Sequence, residues 1–187
     1  MLSLGWDYLM NKKKILDWFD FLTKPRKEFS GYPVCPFLKE ELKNKTMLLD
    51  TYYPQQDDFL EKVNSFIDSD YKVAVYARMG RDHEFEYGID PHYGYSMLPL
   101  HKESVWYGNY IDLKMEDNNI TGLRCVCFSP NDVQEIEGFN PRSKTPYFLI
   151  TLVNTKELYQ ARDKIEKTEY LSGEKHDKYH RTWDDKY

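Results

Sequence analysis

Cys35 is the first residue whose type and setting could do chemistry. It stands before Pro36 in Pro33-Val-Cys-Pro36, and proline suits the first position of a helix, where no amide hydrogen is needed. A helix start gathers unpaired amide hydrogens and the positive end of the dipole, and both favour a thiolate. Lys39, one turn on, adds to this. Cys35 therefore reads as a thiolate nucleophile or redox thiol. The competing reading is a packed cysteine beside a helix cap, since free cysteine is among the most buried residue types.

A second group lies between Pro141 and Pro146: Arg142, Ser143 and Lys144, followed by Tyr147. A guanidinium fork, a hydroxyl and an ammonium in one proline-bounded loop suit a phosphate or a carboxylate. The same composition also makes a solvated turn. A third group is the segment 80–102, with Gly80, Gly88, Gly94, Pro91 and Pro99, tyrosines 87, 93 and 95, and His83, His92 and His101. Its pattern breaks both helical and strand periods, so it reads as a long loop, with at most a short ribbon near 83–87. Loops of this length are more often functional or disordered than neutral. His92 and Tyr93 are its candidate binding residues.

Two histidines and a carboxylate can hold iron or zinc, but the spacings in this loop match no ligand pattern. Cys125 and Cys127 point to one face of a strand, are too far apart for a relaxed disulfide, and supply no complete zinc set. They read as buried strand residues. His176 and His180 share a helical face but lie among Lys175, Lys178 and Arg181, which reads as an exposed pair. No metal and no other cofactor is expected. The sequence holds no glycine-rich phosphate loop, no Gly-x-Ser-x-Gly elbow and no His-Glu-x-x-His.

The balance of charge narrows the partners. Lys and Arg number 26 against 31 Asp and Glu in 187 residues, a net charge of −5. That argues against general nucleic-acid binding, which needs a basic footprint. No stretch approaches the ~20 apolar residues of a membrane helix, so no membrane partner is expected. Met1 to Asp7 has no signal pattern, and three cysteines without one read as reduced thiols in the cytosol. The expectation is a soluble, cytoplasmic protein.

Several elements must position these groups. A helix over 7–23 carries Trp6, Leu9, Met10, Leu16, Phe19 and Leu22 on an apolar stripe, with Lys12, Lys13 and Lys14 solvated. A short helix follows near 36–44, a strand over 46–53, an amphipathic helix over 55–67 and a strand over 72–78. Residues 104–114 read as a strand paired in a hairpin with 120–128. The apolar run 146–153 reads as the most buried strand, because both of its faces are apolar. Asn154 caps a final helix, with Glu157 as its capping-box partner. This order predicts an α+β fold: a mostly antiparallel sheet with helices on one face, on a ferredoxin-like or split β-α-β plan. It predicts a single domain over 1–173 and a polar tail over 174–187.

Three segments, taken in order, resemble an uncharacterised bacterial domain family. That family has a Trp-containing helix leading to Leu-Cys-Pro-Phe-Ala, and later Asn-Arg-Ser-Pro-Tyr-Pro before a His-containing strand. Here Trp18 leads into Val34-Cys35-Pro36-Phe37-Leu38. Thr46 to Leu49 with Asp58-Phe59-Leu60 is similar to the middle strand and its Asp-Phe segment, and Asn140-Pro-Arg142-Ser143-Lys-Thr-Pro146-Tyr147 is similar to the later motif. The chain departs at the family's histidines: Phe-His-Pro is replaced by Phe128-Ser129-Pro130, and the strand histidine falls near Thr151. The resemblance implies a fold and no activity.

The reading that follows is a small binding or accessory protein. It would hold an anionic small molecule or an acidic segment between the Cys35 helix start and the Arg142 loop, covered by the tyrosine-rich loop. One alternative is an enzyme using Cys35 with Arg142 as anion anchor. The other is a protein–protein interaction module using the loop 80–102, since tyrosine is favoured at interfaces.

Overall fold

The two most apolar runs of the chain become neighbouring interior strands. A computed structural model describes residues 3–27, 31–54, 57–79, 89–90, 94–95, 103–130 and 144–166. Its four-stranded sheet comprises β1 (Met47–Tyr52), β2 (Val73–Arg78), β5 (Leu123–Phe128) and β6 (Leu149–Asn154), in the order β1-β2-β6-β5. β1 and β2 are parallel and side by side; β2–β6 and β6–β5 are antiparallel. The class is α+β with a mostly antiparallel sheet, as the sequence predicts. A two-residue ribbon pairs β3 (Ile89–Asp90) with β4 (Gly94–Tyr95). The ribbon expected at 83–87 and the polar tail over 174–187 lie outside the described residues.

Helices α1 (Ser3–Thr23) and α2 (Pro36–Asn44) cover one face of this sheet. Ile15, Trp18, Phe19, Leu22 and Leu38 pack there on Val75, Ala77 and Leu149. Helices α3 (Phe59–Ile67) and α4 (Glu103–Asp117) cover the other, where Phe59, Val63, Phe66, Tyr107, Ile111 and Met115 pack on Ala74, Tyr76, Cys125, Cys127, Ile150 and Leu152. α1 and α2 thus share one face of the sheet, and α3 and α4 the other. The cause is in β2 and β6: successive residues point to opposite faces, and both parities are apolar, so each face needs cover. Leu149, Ile150 and Leu152 have 0% exposure. Truncating any of them to Ala costs about 2–5 kcal/mol.

The starts of α2 and α5 lie where the sequence places them, while α1 begins four residues earlier and α3 four residues later than expected. Asp58 accepts from the Leu60 amide at 2.9 Å and opens α3. Pro36 opens α2, which closes at Lys45 in the left-handed region (φ 57°). Asn154 accepts from the Lys156 amide at 3.0 Å and opens α5 (Thr155–Glu166). Glu157, the expected capping-box partner, instead pairs with Lys72 at 3.3 Å.

The segment 104–114 is the main correction. It is not a strand but the body of α4, and β5 pairs with β6 instead of with it. Val105, Trp106, Tyr107, Tyr110 and Ile111 give the segment strand-like composition. Its buried positions, however, are Ser104, Tyr107, Gly108, Ile111 and Met115, a helical i, i+3, i+4, i+7 stripe. Gly108 faces β5: a Cβ there would lie 3.4 Å from the Cys125 carbonyl oxygen and 3.9 Å from Cys127 Sγ, in ordinary contact. No helix among the described residues is long and apolar enough to cross a membrane.

Candidate functional site

Cys35 stands at the N-cap of α2 in extended backbone (φ −131°, ψ 92°), half-buried, and its side chain makes no capping hydrogen bond. Its amide donates to the Leu22 carbonyl at 3.1 Å, tying the start of α2 to the end of α1. Cys35 and Tyr147 both pack against the core cluster under α1. Lys144 is exposed, and its ammonium lies 5.0 Å from the centre of the Phe21 ring. Arg26 places its guanidinium carbon 4.0 Å from the same ring. Lys14 lies 5.7 Å from the centre of the Tyr147 ring. The described parts of the predicted site therefore gather around the second half of α1. Arg142, Ser143, His92 and Tyr93 lie outside the described residues.

The physical consequence is a local concentration of positive charge on an acidic protein. Each cation over an exposed ring is held by about 0.5–1 kcal/mol. Two cations on one ring repel each other, and an anion between them relieves that repulsion while accepting charge-assisted hydrogen bonds. Asp20, next to Phe21 in sequence, is engaged by Lys24 at 2.5 Å. Arg26 carries no sequence signal of its own, because its role depends on α1 ending beside residue 144.

A second constellation was not read from the sequence. It lies at the carboxyl ends of the parallel strands β1 and β2, the end of a β-α-β unit where ligands commonly bind. Tyr52 and Arg78 are register partners there. Tyr107 of α4 donates its hydroxyl to the Tyr52 oxygen, and the Arg78 guanidinium carbon lies 5.8 Å from the centre of the Tyr107 ring. Burial pushes the Tyr52 phenol up; the Tyr107 hydrogen bond and Arg78 pull it back. Tyr107 is pushed up further, by burial first and then by Tyr52. Both phenols are therefore neutral at physiological pH and act as hydrogen-bonding groups beside a guanidinium. Reading α4 as a strand hid this group, since a strand at 104–114 would not bring residue 107 over the end of β1.

Two buried groups complete the polar inventory. Cys125 and Cys127 share a face as expected, and their Sγ atoms touch at 3.7 Å without a disulfide. Burial, Cys127 and then Asp112 hold the Cys125 thiol well above its ordinary value, which makes it a poor nucleophile. Asp112 accepts the Cys125 amide at 2.8 Å and faces Arg124 at 3.7 Å. Burial raises its carboxyl, against the pull of that amide and of Arg124. On the same side of the sheet, Lys62 binds Asp50 at 2.9 Å and approaches Asp57 at 3.8 Å, and its carbonyl accepts the Tyr76 hydroxyl at 3.1 Å. Among the described residues no cluster of three or more His, Cys, Asp or Glu could hold a metal ion.

Comparison with protein-family models, with curated proteins and with solved structures finds no match to this chain.

Proposed function

We propose that this protein binds an anionic small molecule or an acidic segment at Lys144, against the second half of α1. The observation that carries the reading is the pair of cations, Arg26 and Lys144, on the Phe21 ring. Arg142 and Ser143, adjacent in sequence to Lys144, supply the fork and the hydroxyl that a phosphate or carboxylate takes. A second reading uses Cys35 as a thiolate nucleophile or redox thiol. Its support is the N-cap position of Cys35 ahead of Pro36, where the helix start favours the charged form of sulfur.

Thermal unfolding in inorganic phosphate tests the first reading. A ligand at about ten times its dissociation constant adds ~1.4 kcal/mol, which raises the midpoint of a chain this size by roughly 3–6 °C. That shift is expected in the parent protein and lost in Arg142→Ala and Lys144→Ala, with both variants unfolding normally in chloride. Equal phosphate stabilisation in parent and variants contradicts the proposed site.

A further inference from the structure

A cleft of about 340 Å³ opens at the start of β1, where the α1–α2 layer meets the sheet edge. That volume is within the usual range for a small-molecule site. Leu16, Leu42, Met47 and Tyr71 contribute apolar wall, and Lys12 and Lys45 contribute the positive charge. Leu16 is 38% exposed and Tyr71 42% exposed, so two large apolar side chains stand in water beside this space. Such exposure carries information when it coincides with a concavity.

The charges there are not used by the fold. Neither Lys12 nor Lys45 has an ion-pair partner among the described residues. The one carboxylate in the wall, Glu41, already accepts the Thr46 hydroxyl. Two ammonium groups against one carboxylate leave the lining net positive. The cleft thus offers an apolar surface with two ammonium groups.

We infer that this cleft binds an amphiphilic carboxylate, its hydrocarbon chain against Leu16, Leu42, Met47 and Tyr71 and its acid group between Lys12 and Lys45. Charge complementarity sets the sign of the headgroup, and the apolar wall separates this ligand from an inorganic anion. A neutral chain leaves the two ammonium groups unused, and a short acid leaves the wall in water. The site is distinct from the one proposed above, because Arg26 and Lys144 take no part in its lining.

Isothermal titration with decanoate, decanol and acetate decides the matter. Decanoate is expected to bind saturably at one site, with decanol and acetate each much weaker. The double variant Lys12→Gln/Lys45→Asn should weaken decanoate about ten-fold, the effect of losing two exposed charge pairs. Asparagine is chosen at Lys45 because it tolerates the left-handed backbone. Leu16→Gln, at an already exposed position, should weaken it as well. Lys156→Gln, an exposed lysine outside the lining, should leave it unchanged. No saturable binding, decanol or acetate binding as tightly as decanoate, or an unaffected double variant each overturns the inference.

Discussion

Replacing Gly108 tests whether residues 103–117 form a helix against β5, because helix and strand predict opposite orders of stability. Glycine in a helix interior costs about 1 kcal/mol relative to alanine. The Cβ of an alanine at 108 would meet Cys125 O at 3.4 Å, Cys127 N at 3.8 Å and Cys127 Sγ at 3.9 Å, all ordinary contact distances. Gly108→Ala is therefore expected to stabilise the protein by about 1 kcal/mol. Valine adds two methyl groups about 1.5 Å beyond that Cβ, towards a wall already in contact, and its side-chain torsion is nearly fixed in a helix. Overpacking of this kind costs about 1–3 kcal/mol. Gly108→Val should then fall about 2–4 kcal/mol below Gly108→Ala, a separation of roughly 5–15 °C in melting temperature. Urea and thermal unfolding followed by circular dichroism read the order directly: Ala above Gly, Val lowest. In a strand, β-branched valine would match or exceed alanine, so that order refutes the helix and its packing on β5.

Other consequences follow from single groups. Spectrophotometric titration should show a late phenol pushed up to about 12, by burial first and then by Asp50; it belongs to Tyr76 and disappears in Tyr76→Phe. Because the folded Tyr76 phenol ionises later than the unfolded one, its contribution to stability is present below pH 10 and lost as pH rises through 12; a variant with unchanged alkaline unfolding contradicts this. Asp112 is also raised, so the folded state holds its proton more tightly. Its contribution is present below the unfolded value of 3.8 and is lost as pH rises through the folded value. Asp112→Asn should remove that pH dependence from the urea midpoint, and an identical pH profile would show that Asp112 is not desolvated. Iodoacetamide labelling of the native protein should modify Cys35 well before Cys125 and Cys127, which are 7% and 3% exposed; equal rates for the three would place the β5 thiols in solvent.

Helix caps and buried strands were legible because their signals are local. Pro36 and Asn154 each mark a helix start through backbone chemistry that neighbouring residues complete, whereas the Asp58 cap of α3 was not read and the helix was begun at 55. The interior position of β6 followed from its unbroken apolar run. The stripe of α1 was read with a small rotation: Ile15 and Trp18 are buried, while Leu16 faces the cleft. The α4 segment was misread because its aromatic and β-branched residues carry strand propensity, and tertiary packing at Gly108 overrides it. Loop composition pointed to the 142–147 segment, and the structure adds the partners that composition does not encode. Phe21 and Arg26 meet Lys144 only because α1 crosses the sheet beside the start of β6. The Tyr52–Tyr107–Arg78 group is likewise a product of topology, assembled from the ends of two strands and a helix.

Backbone amide chemical-shift mapping during a phosphate titration tests the proposed anion site most directly. Saturable shifts are expected at Phe21 to Arg26, at Cys35 and at Lys144 to Tyr147, with the Lys12 and Lys45 cleft unmoved because phosphate has no chain to occupy it. Shifts that do not saturate, or that fall only outside these segments, contradict an anion site at the end of α1.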